Sequence, residues 1–328
     1  MGKAAVVGGG VIGGGWAARF RLNGWDVAVF DPDPAAERKI DEVMENAARA
    51  LPALYDQELP PPGRLSFEAT IDDAVAGADW VQESIPERLE RKRSVLGQIA
   101  RSVSADAVVG SSTSGFKPSE LTAELHRSAP LHNFVVAHPF NPVYLLPLVE
   151  IVGASETTPD AIERACRVLD SIGMKPLVVR KEIEAHIADR LLEAAWREGL
   201  WLIKDGICTT EELDDAIRFG FGLRWAQMGL FETYRVAGGE AGMRHFLAQF
   251  GPALQWPWTK LTDVPELDDE LVELIAEQSD QQSGHMTIRE LERLRDDNLV
   301  GIIRALKSTG SGAGGTVVDH EAGLSGSV

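Results

Sequence analysis

The chain is poor in cysteine, tyrosine and basic residues: two Cys, three Tyr, and 32 Lys and Arg against 50 Asp and Glu in 328 residues. Cys166 and Cys208 fall in helical patterns without metal-ligand spacing, which argues against a metal site and reads as reduced packing thiols. The formal net charge of −18 repels nucleic acid and anionic lipid, so neither is expected as a partner. A polyanionic ligand would need a local basic pocket, whereas a cationic or zwitterionic small molecule is accommodated more easily. No apolar run reaches the roughly 20 residues needed to span a bilayer. The opening "KAAVVG" enters an apolar strand directly, without a charged and apolar leader, and a cytoplasmic location is expected.

Hydrophobic residues at 44% and charged residues at 25% describe an ordinary globular protein. Single cores stop growing at roughly 250–300 residues, so 328 residues imply two domains. Residues 3–8 form an apolar strand, 11–23 a helix and "DVAVFD" a second strand, together a βαβ unit. The alternation continues through "ADWVQESI", a helix over 88–103, "AVVGSST" and "NFVVAH", which predicts an α/β fold with a parallel, doubly wound Rossmann-type sheet. Strand signals stop after residue 180. From Glu184 the pattern is helical, with a long helix to about Lys204 and another opening on the capping sequence "TTEELDDAI". The expected division is therefore a dinucleotide-binding domain over 1–183, an all-helical C-terminal domain over 184–308, and a flexible Gly- and Ser-rich tail over 309–328.

The segment "VVGGGVIGGGW" sets Gly8, Gly10 and Gly13 in G-x-G-x-x-G spacing, with Val11 and Ile12 between them, directly after a strand and at a helix start. Gly8 permits the tight turn, Gly10 lets the backbone approach a pyrophosphate, and Gly13 lets helix and strand pack closely. Asp31 ends the second strand eighteen positions after Gly13, near the spacing of a ribose-binding acid. Such an acid accepts hydrogen bonds from ribose hydroxyls and repels a 2′-phosphate, so NAD is expected as the cofactor rather than NADP.

The stretch "VVAHPFNPVYLLPLVEIVG" reads as two apolar segments joined by a proline-rich corner, yet it holds His138 and, twelve residues on, Glu150. With "SSTSGF" at 111–116 upstream, this arrangement resembles the 3-hydroxyacyl-CoA dehydrogenase family, and the likeness extends over nearly the whole ordered chain. Alcohol oxidation needs a base for the hydroxyl proton as hydride leaves carbon, and an imidazole titrating near neutrality suits it. His138 is assigned that task, with Glu150 holding its tautomer and stabilising the imidazolium. The resemblance further implies Ser114 on the substrate oxygen, Asn141 near the nicotinamide and histidine, Glu87 and Lys92 beside the cofactor ribose and nicotinamide, and a homodimer formed through the helical domain. A catalytically silent binding protein is a different class of hypothesis. Intact Ser114, His138, Asn141 and Glu150 argue against it.

Asp189 departs from the family pattern, standing before "RLL" where the acyl-CoA enzymes have asparagine. An anion there disfavours a thioester oxyanion and tolerates a cationic substrate. Basic runs suited to coenzyme A phosphates are also few, "ERKR" at 90–93 being the clearest. A small 3-hydroxy acid needs instead a carboxylate anchor, for which Arg224 in "GLRWA" is the candidate. "RWAQMGLFET" and the segment 242–261 resemble members of the family that act on such acids. A quaternary ammonium at the other end of the substrate would call for aromatic faces and carboxylates. Phe140 and Tyr144, flanking His138, are the first candidates, with Trp225 a third; Trp196 and Trp201, on one long helix, read as packing residues. No metal ligand set is proposed.

Overall fold

The structure, a computed structural model, describes residues 2–123, 125, 132–237, 242–250, 258–260, 268–271, 273–274, 278 and 285–325. Of the segment 242–261 singled out above, 251–257 and 261 therefore lie outside the described residues. Among the described residues eight strands form one sheet: β1 Lys3–Val7, β2 Asp26–Phe30, β3 Leu65–Phe67, β4 Trp80–Glu83, β5 Val108–Ser111, β6 Phe134–Pro139, β7 Leu148–Gly153 and β8 Lys175–Val178. Their order is β3-β2-β1-β4-β5-β6-β7-β8, and every neighbouring pair is parallel except β6 with β7. The order reverses between β1 and β4, the position at which doubly wound sheets open a ligand crevice.

The short apolar runs become strands because both faces of the sheet are covered. Ala4, Val6, Val29, Trp80 and Val135 pack on one side with Trp16 and Phe20 of the helix Val11–Leu22. Ala5, Val7, Val81, Val109 and Val136 face the other side with Leu96, Ile99 and Leu121. Trp16 and Phe20 stack with ring centroids 5.9 Å apart, and Trp80 lies 6.0 Å from Phe20. Truncating such a fully buried aromatic costs about 3–5 kcal/mol.

The chain divides into two compact units, one of residues 1–189 with 295–328 and the other of 190–294. The helical second part starts close to the expected boundary, but it ends earlier than expected, because the chain returns to the first unit at Arg295. The expected flexible tail is corrected. Residues Gly312–Ser325 form a helix with Val317 and His320 buried. Gly314 makes this possible, since a Cβ there would lie 2.0 Å from the backbone nitrogen of Lys307 in the preceding helix. His320 Nε2–H donates to the Ser171 carbonyl at 3.2 Å, and its Nδ1 meets the Tyr55 hydroxyl at 3.0 Å.

Within the second unit the predicted cap forms: the Thr209 side chain accepts from the Glu212 N–H at 3.2 Å, and the Glu212 carboxylate accepts from the Thr209 N–H at 2.8 Å. The helix Gly222–Ala237 is kinked at Gly229, whose φ is 72°. Tyr234 and Phe246 stack at 4.6 Å, and the Lys260 ammonium lies 4.3 Å from the centre of the Trp201 ring. Trp196, read as a packing residue, is instead largely exposed, together with Leu191, Leu192, Phe219 and Phe231.

Candidate active site

At the C-terminal ends of β1, β2 and β4 a cavity of about 710 Å³ is lined by Gly8, Gly10, Val11, Ile12, Asp31 and Ser84 among others. The glycines there serve distinct ends. Gly8 has φ 108°, and a Cβ on it would lie 2.6 Å from the Ser84 carbonyl oxygen. A Cβ on Gly13 would come within 1.8 Å of the Gly8 carbonyl oxygen, so helix and strand could not close. At Gly10, by contrast, nothing lies within 4 Å of a built Cβ. That open space faces the start of a 12-residue helix, where unpaired N–H groups and the helix dipole favour a phosphate. Asp31 is held at the cavity by N–H donors from Gly9 at 2.5 Å and Asp33 at 2.7 Å. These residues fit a dinucleotide. Lys39 also lines the cavity and was missed, because a basic residue on an amphipathic helix looks like any solvated face, and Arg91, from the "ERKR" run, lines it too.

The next group along the sheet edge is built on Glu83, a carboxylate on a fully buried strand. Lys92 of the helix Leu89–Ser102 pairs with it at 2.9 Å and also donates to the Ile85 carbonyl at 3.1 Å. Ser111 donates to the other Glu83 oxygen at 2.5 Å. Sequence reasoning missed Glu83, whose signal is a charge inside an apolar strand. Lys92 is only 1% exposed, which corrects its expected place beside the ribose: its ammonium lies among Glu83, Ile85 and, at 3.3 Å, Glu87. Glu87 is accessible and holds the Ser114 loop, accepting from the Thr113 hydroxyl and from the N–H groups of Ser114 at 3.2 Å and Gly115 at 3.1 Å. Burial is the largest influence on its carboxyl and raises its proton affinity. The Thr113 hydroxyl, Lys92 and the Gly115 N–H together outweigh it and hold Glu87 below its ordinary value.

His138 and Glu150 come together through strand register. β6 and β7 pair antiparallel with His138 directly opposite Glu150, so both side chains leave the same face of the sheet. His138 Nδ1 lies 3.1 Å from Glu150 Oε2. A carboxylate only accepts, so Nδ1 is the donor of this pair and Nε2 points away from Glu150. The other Glu150 oxygen accepts from the N–H groups of Ile187 at 2.9 Å and Ala188 at 3.0 Å, at the start of the helix Ala188–Lys204. Burial is the largest influence on Glu150 and opposes ionisation, but the His138 bond and these two N–H donors prevail and hold its carboxyl below its ordinary value. The same helix start brings Asp189 Oδ2 to 3.5 Å from His138 Nε2.

Two further rings flank the imidazole. Phe140 lies edge-on with its ring centroid 4.9 Å away, and His186 lies at 5.6 Å. His186, also missed, is fully buried at φ 50°, its Nε2 3.4 Å from the Thr113 carbonyl. Burial foremost, then the nearby His138, push its imidazole below its ordinary value. Ser114 and Asn141 are exposed, on the loops that follow β5 and β6, and neither is hydrogen-bonded to His138 among the described residues. The expectation that Tyr144 faces the site is corrected. Its ring is buried in the core, and its hydroxyl donates at 2.7 Å to the buried Asp296. Arg224 and Trp225 belong to the second unit, both exposed, with Trp225 against Phe221 at 4.7 Å.

Residues 3–183 match the 3-hydroxyacyl-CoA dehydrogenase NAD binding domain, and residues 186–273 match the 3-hydroxyacyl-CoA dehydrogenase C-terminal domain. The chain belongs to the 3-hydroxyacyl-CoA dehydrogenase family. As a member it uses NAD. It is 66% identical over 324 residues to a Ruegeria pomeroyi protein named L-carnitine dehydrogenase/betainyl-CoA thioesterase, covering 99% of this chain and 66% of that protein. It is 63% identical over 312 residues to a Mesorhizobium japonicum protein named L-carnitine dehydrogenase, covering 95% of this chain and 85% of that protein. The chain thus spans about two thirds of the length of the Ruegeria protein and most of the Mesorhizobium protein. Among solved structures, an NAD+ dependent dismutase, 5-formyl-3-hydroxy-2-methylpyridine 4-carboxylic acid 5-dehydrogenase, superposes with a TM-score of 0.77 at 27% identity, covering 94% of this chain and 99% of that one.

Proposed function

We propose that the protein oxidises L-carnitine to 3-dehydrocarnitine with NAD. The observation that carries this reading is the carboxylate of Asp189 at 3.5 Å from His138 Nε2, an anion beside the reacting position in a chain whose relatives are named for carnitine. NAD, when bound, supplies the hydride acceptor. His138 Nε2 takes the hydroxyl proton, and Glu150, anchored by two backbone N–H groups, holds the ring and stabilises the imidazolium. Ser114 and Asn141 orient the alcohol oxygen and the nicotinamide. Glu87, on the loop after β4, meets the cofactor ribose while it holds the Ser114 loop, and the buried Lys92 acts through Glu87. Asp189 and the face of the Phe140 ring meet the trimethylammonium, which makes no conventional hydrogen bond and is held by charge and aromatic faces. Arg224 is assigned to the substrate carboxylate, and Trp225 to the ammonium, on side-chain chemistry.

A coenzyme A thioester carries no cation at C4 for the same aspartate to bind. An NADH absorbance assay with carnitine, gulonate and 3-hydroxybutyryl-CoA in parallel tests the proposal. Carnitine is expected to give the highest kcat/KM; preference for the thioester or for gulonate overturns the assignment. Arg224→Ala is expected to raise KM for carnitine and for 3-hydroxybutyrate alike. We further propose a cytoplasmic homodimer, supported by the exposed apolar residues of the helical unit, with light scattering as its test. Among the described residues no helix is long and apolar enough to cross a membrane.

A further inference from the structure

Both nitrogens of His138 face carboxylates, Nδ1 towards Glu150 at 3.1 Å and Nε2 towards Asp189 at 3.5 Å. A neutral imidazole has one donor and would turn a lone pair on one of these anions, whereas an imidazolium presents a donor to each. An imidazolium, its Nε2 lone pair taken by a proton, cannot act as a base. Among the described residues two further rings lie against it: His186, which burial holds below its ordinary value, and the apolar Phe140.

The substrate proposed above changes this balance, and the inference rests on that reading. In a 3-hydroxy-4-ammonio acid three covalent bonds of about 1.5 Å separate the hydroxyl oxygen from the ammonium nitrogen, so the two lie within about 4 Å. With the hydroxyl hydrogen-bonded to Nε2 at about 2.8 Å, the cation falls within about 7 Å of the ring. Asp189 is the carboxylate on that nitrogen and is 19% exposed, whereas Glu150 is fully buried behind the other nitrogen. We infer that Asp189 is a specificity residue that couples substrate charge to the protonation of the base: the bound quaternary ammonium takes Asp189 as its counter-ion and expels the proton from His138. The proton goes to solvent, the ring becomes competent, and an uncharged hydroxy acid does not trigger the change. By linkage, protonation must weaken binding of the cation by the same factor that the cation weakens protonation.

The test uses NAD-loaded enzyme and 4-(trimethylammonio)butanoate, which carries both substrate charges and no hydroxyl. Its neutral counterpart is 5,5-dimethylhexanoate, with a tert-butyl group in place of the ammonium. Titration calorimetry in buffers of different ionisation enthalpy, from about pH 6 to pH 8, counts protons released. The cationic analogue is expected to release about half to one proton per site near the midpoint, and the neutral isostere close to none. Asp189→Asn is expected to abolish most of the release and to weaken the cationic analogue about tenfold or more, leaving the isostere within about threefold. Should that variant not fold, the two analogues on the wild-type protein decide alone. Binding of the cationic analogue with buffer-independent heat across the pH range overturns the coupling and leaves the carnitine reading standing. Failure of the cationic analogue to bind at all overturns both.

Discussion

Glu150 performs two tasks with its two oxygens, one on His138 and one on the start of the helix Ala188–Lys204, so its replacement separates charge from shape. Glu150→Gln keeps an oxygen for the helix N–H groups and loses the anion that stabilises the imidazolium. It is expected to lower kcat by about tenfold to a hundredfold, whereas His138→Ala lowers it by about two to four decades with little change in NAD affinity. Near-normal turnover of His138→Ala would remove the base assignment. On the proposed mechanism neutral imidazole is the competent form and oxidation releases a proton, so kcat/KM is expected to rise from acid towards alkaline pH. At the other end of the site, Asp31 holds two backbone N–H donors and lines the cofactor cavity. Asp31→Ser should narrow the preference for NAD over NADP, and equal efficiency of the wild type with both cofactors would show that Asp31 does not discriminate.

The helix Gly312–Ser325 is the element with the most to lose from a change of pH. His320 sits between the Tyr55 hydroxyl and the Ser171 carbonyl, and burial first, then the Arg19 charge, lower its pKa from 6.5 to about 4. Between those values the unfolded chain binds a proton that the folded chain does not, so this contribution to stability is complete above about pH 6.5 and drains away as pH falls to 4. The full span corresponds to about 3 kcal/mol. His320→Gln should flatten stability across that window in denaturant titrations, and parallel wild-type and variant curves would refute the assignment. Gly173 lies at the same junction with φ 70°, where a Cβ would come within 2.9 Å of atoms of His320, Tyr55 and Arg19 at once. Gly173→Ala is therefore expected to destabilise the helix docking. A chain ending at Ser308 tests the element as a whole: loss of buried Val317 and His320 should lower Tm by several degrees, and an unchanged Tm would restore the mobile tail.

For the whole molecule, NAD at a hundred times its Kd should add about 2.7 kcal/mol of stability, seen as a rise in Tm that saturates with the binding curve. No shift with NAD would contradict the cofactor cradle. Much of this architecture was legible before any coordinates. The first βαβ unit, the turn at Gly8 and the capping sequence at Thr209 are local features whose physics acts within a few residues, and each formed as read. The pairing of His138 with Glu150 was legible as well, although the register that sets them opposite one another belongs to the antiparallel β6–β7 pair. Only the tertiary structure decided that Tyr144 is spent on Asp296, that Lys92 is buried against Glu83, that residues 312–325 dock as a helix on the first unit, and that Asp189 meets Nε2 while His186 closes behind it. In Tyr144 with Asp296 and in His320 with Tyr55, the partners are separated by 152 and 265 residues. A sequence period reports that a side chain will be covered, because burial follows from helix and strand geometry; it does not report by what, because that choice is made by packing among elements distant in the chain.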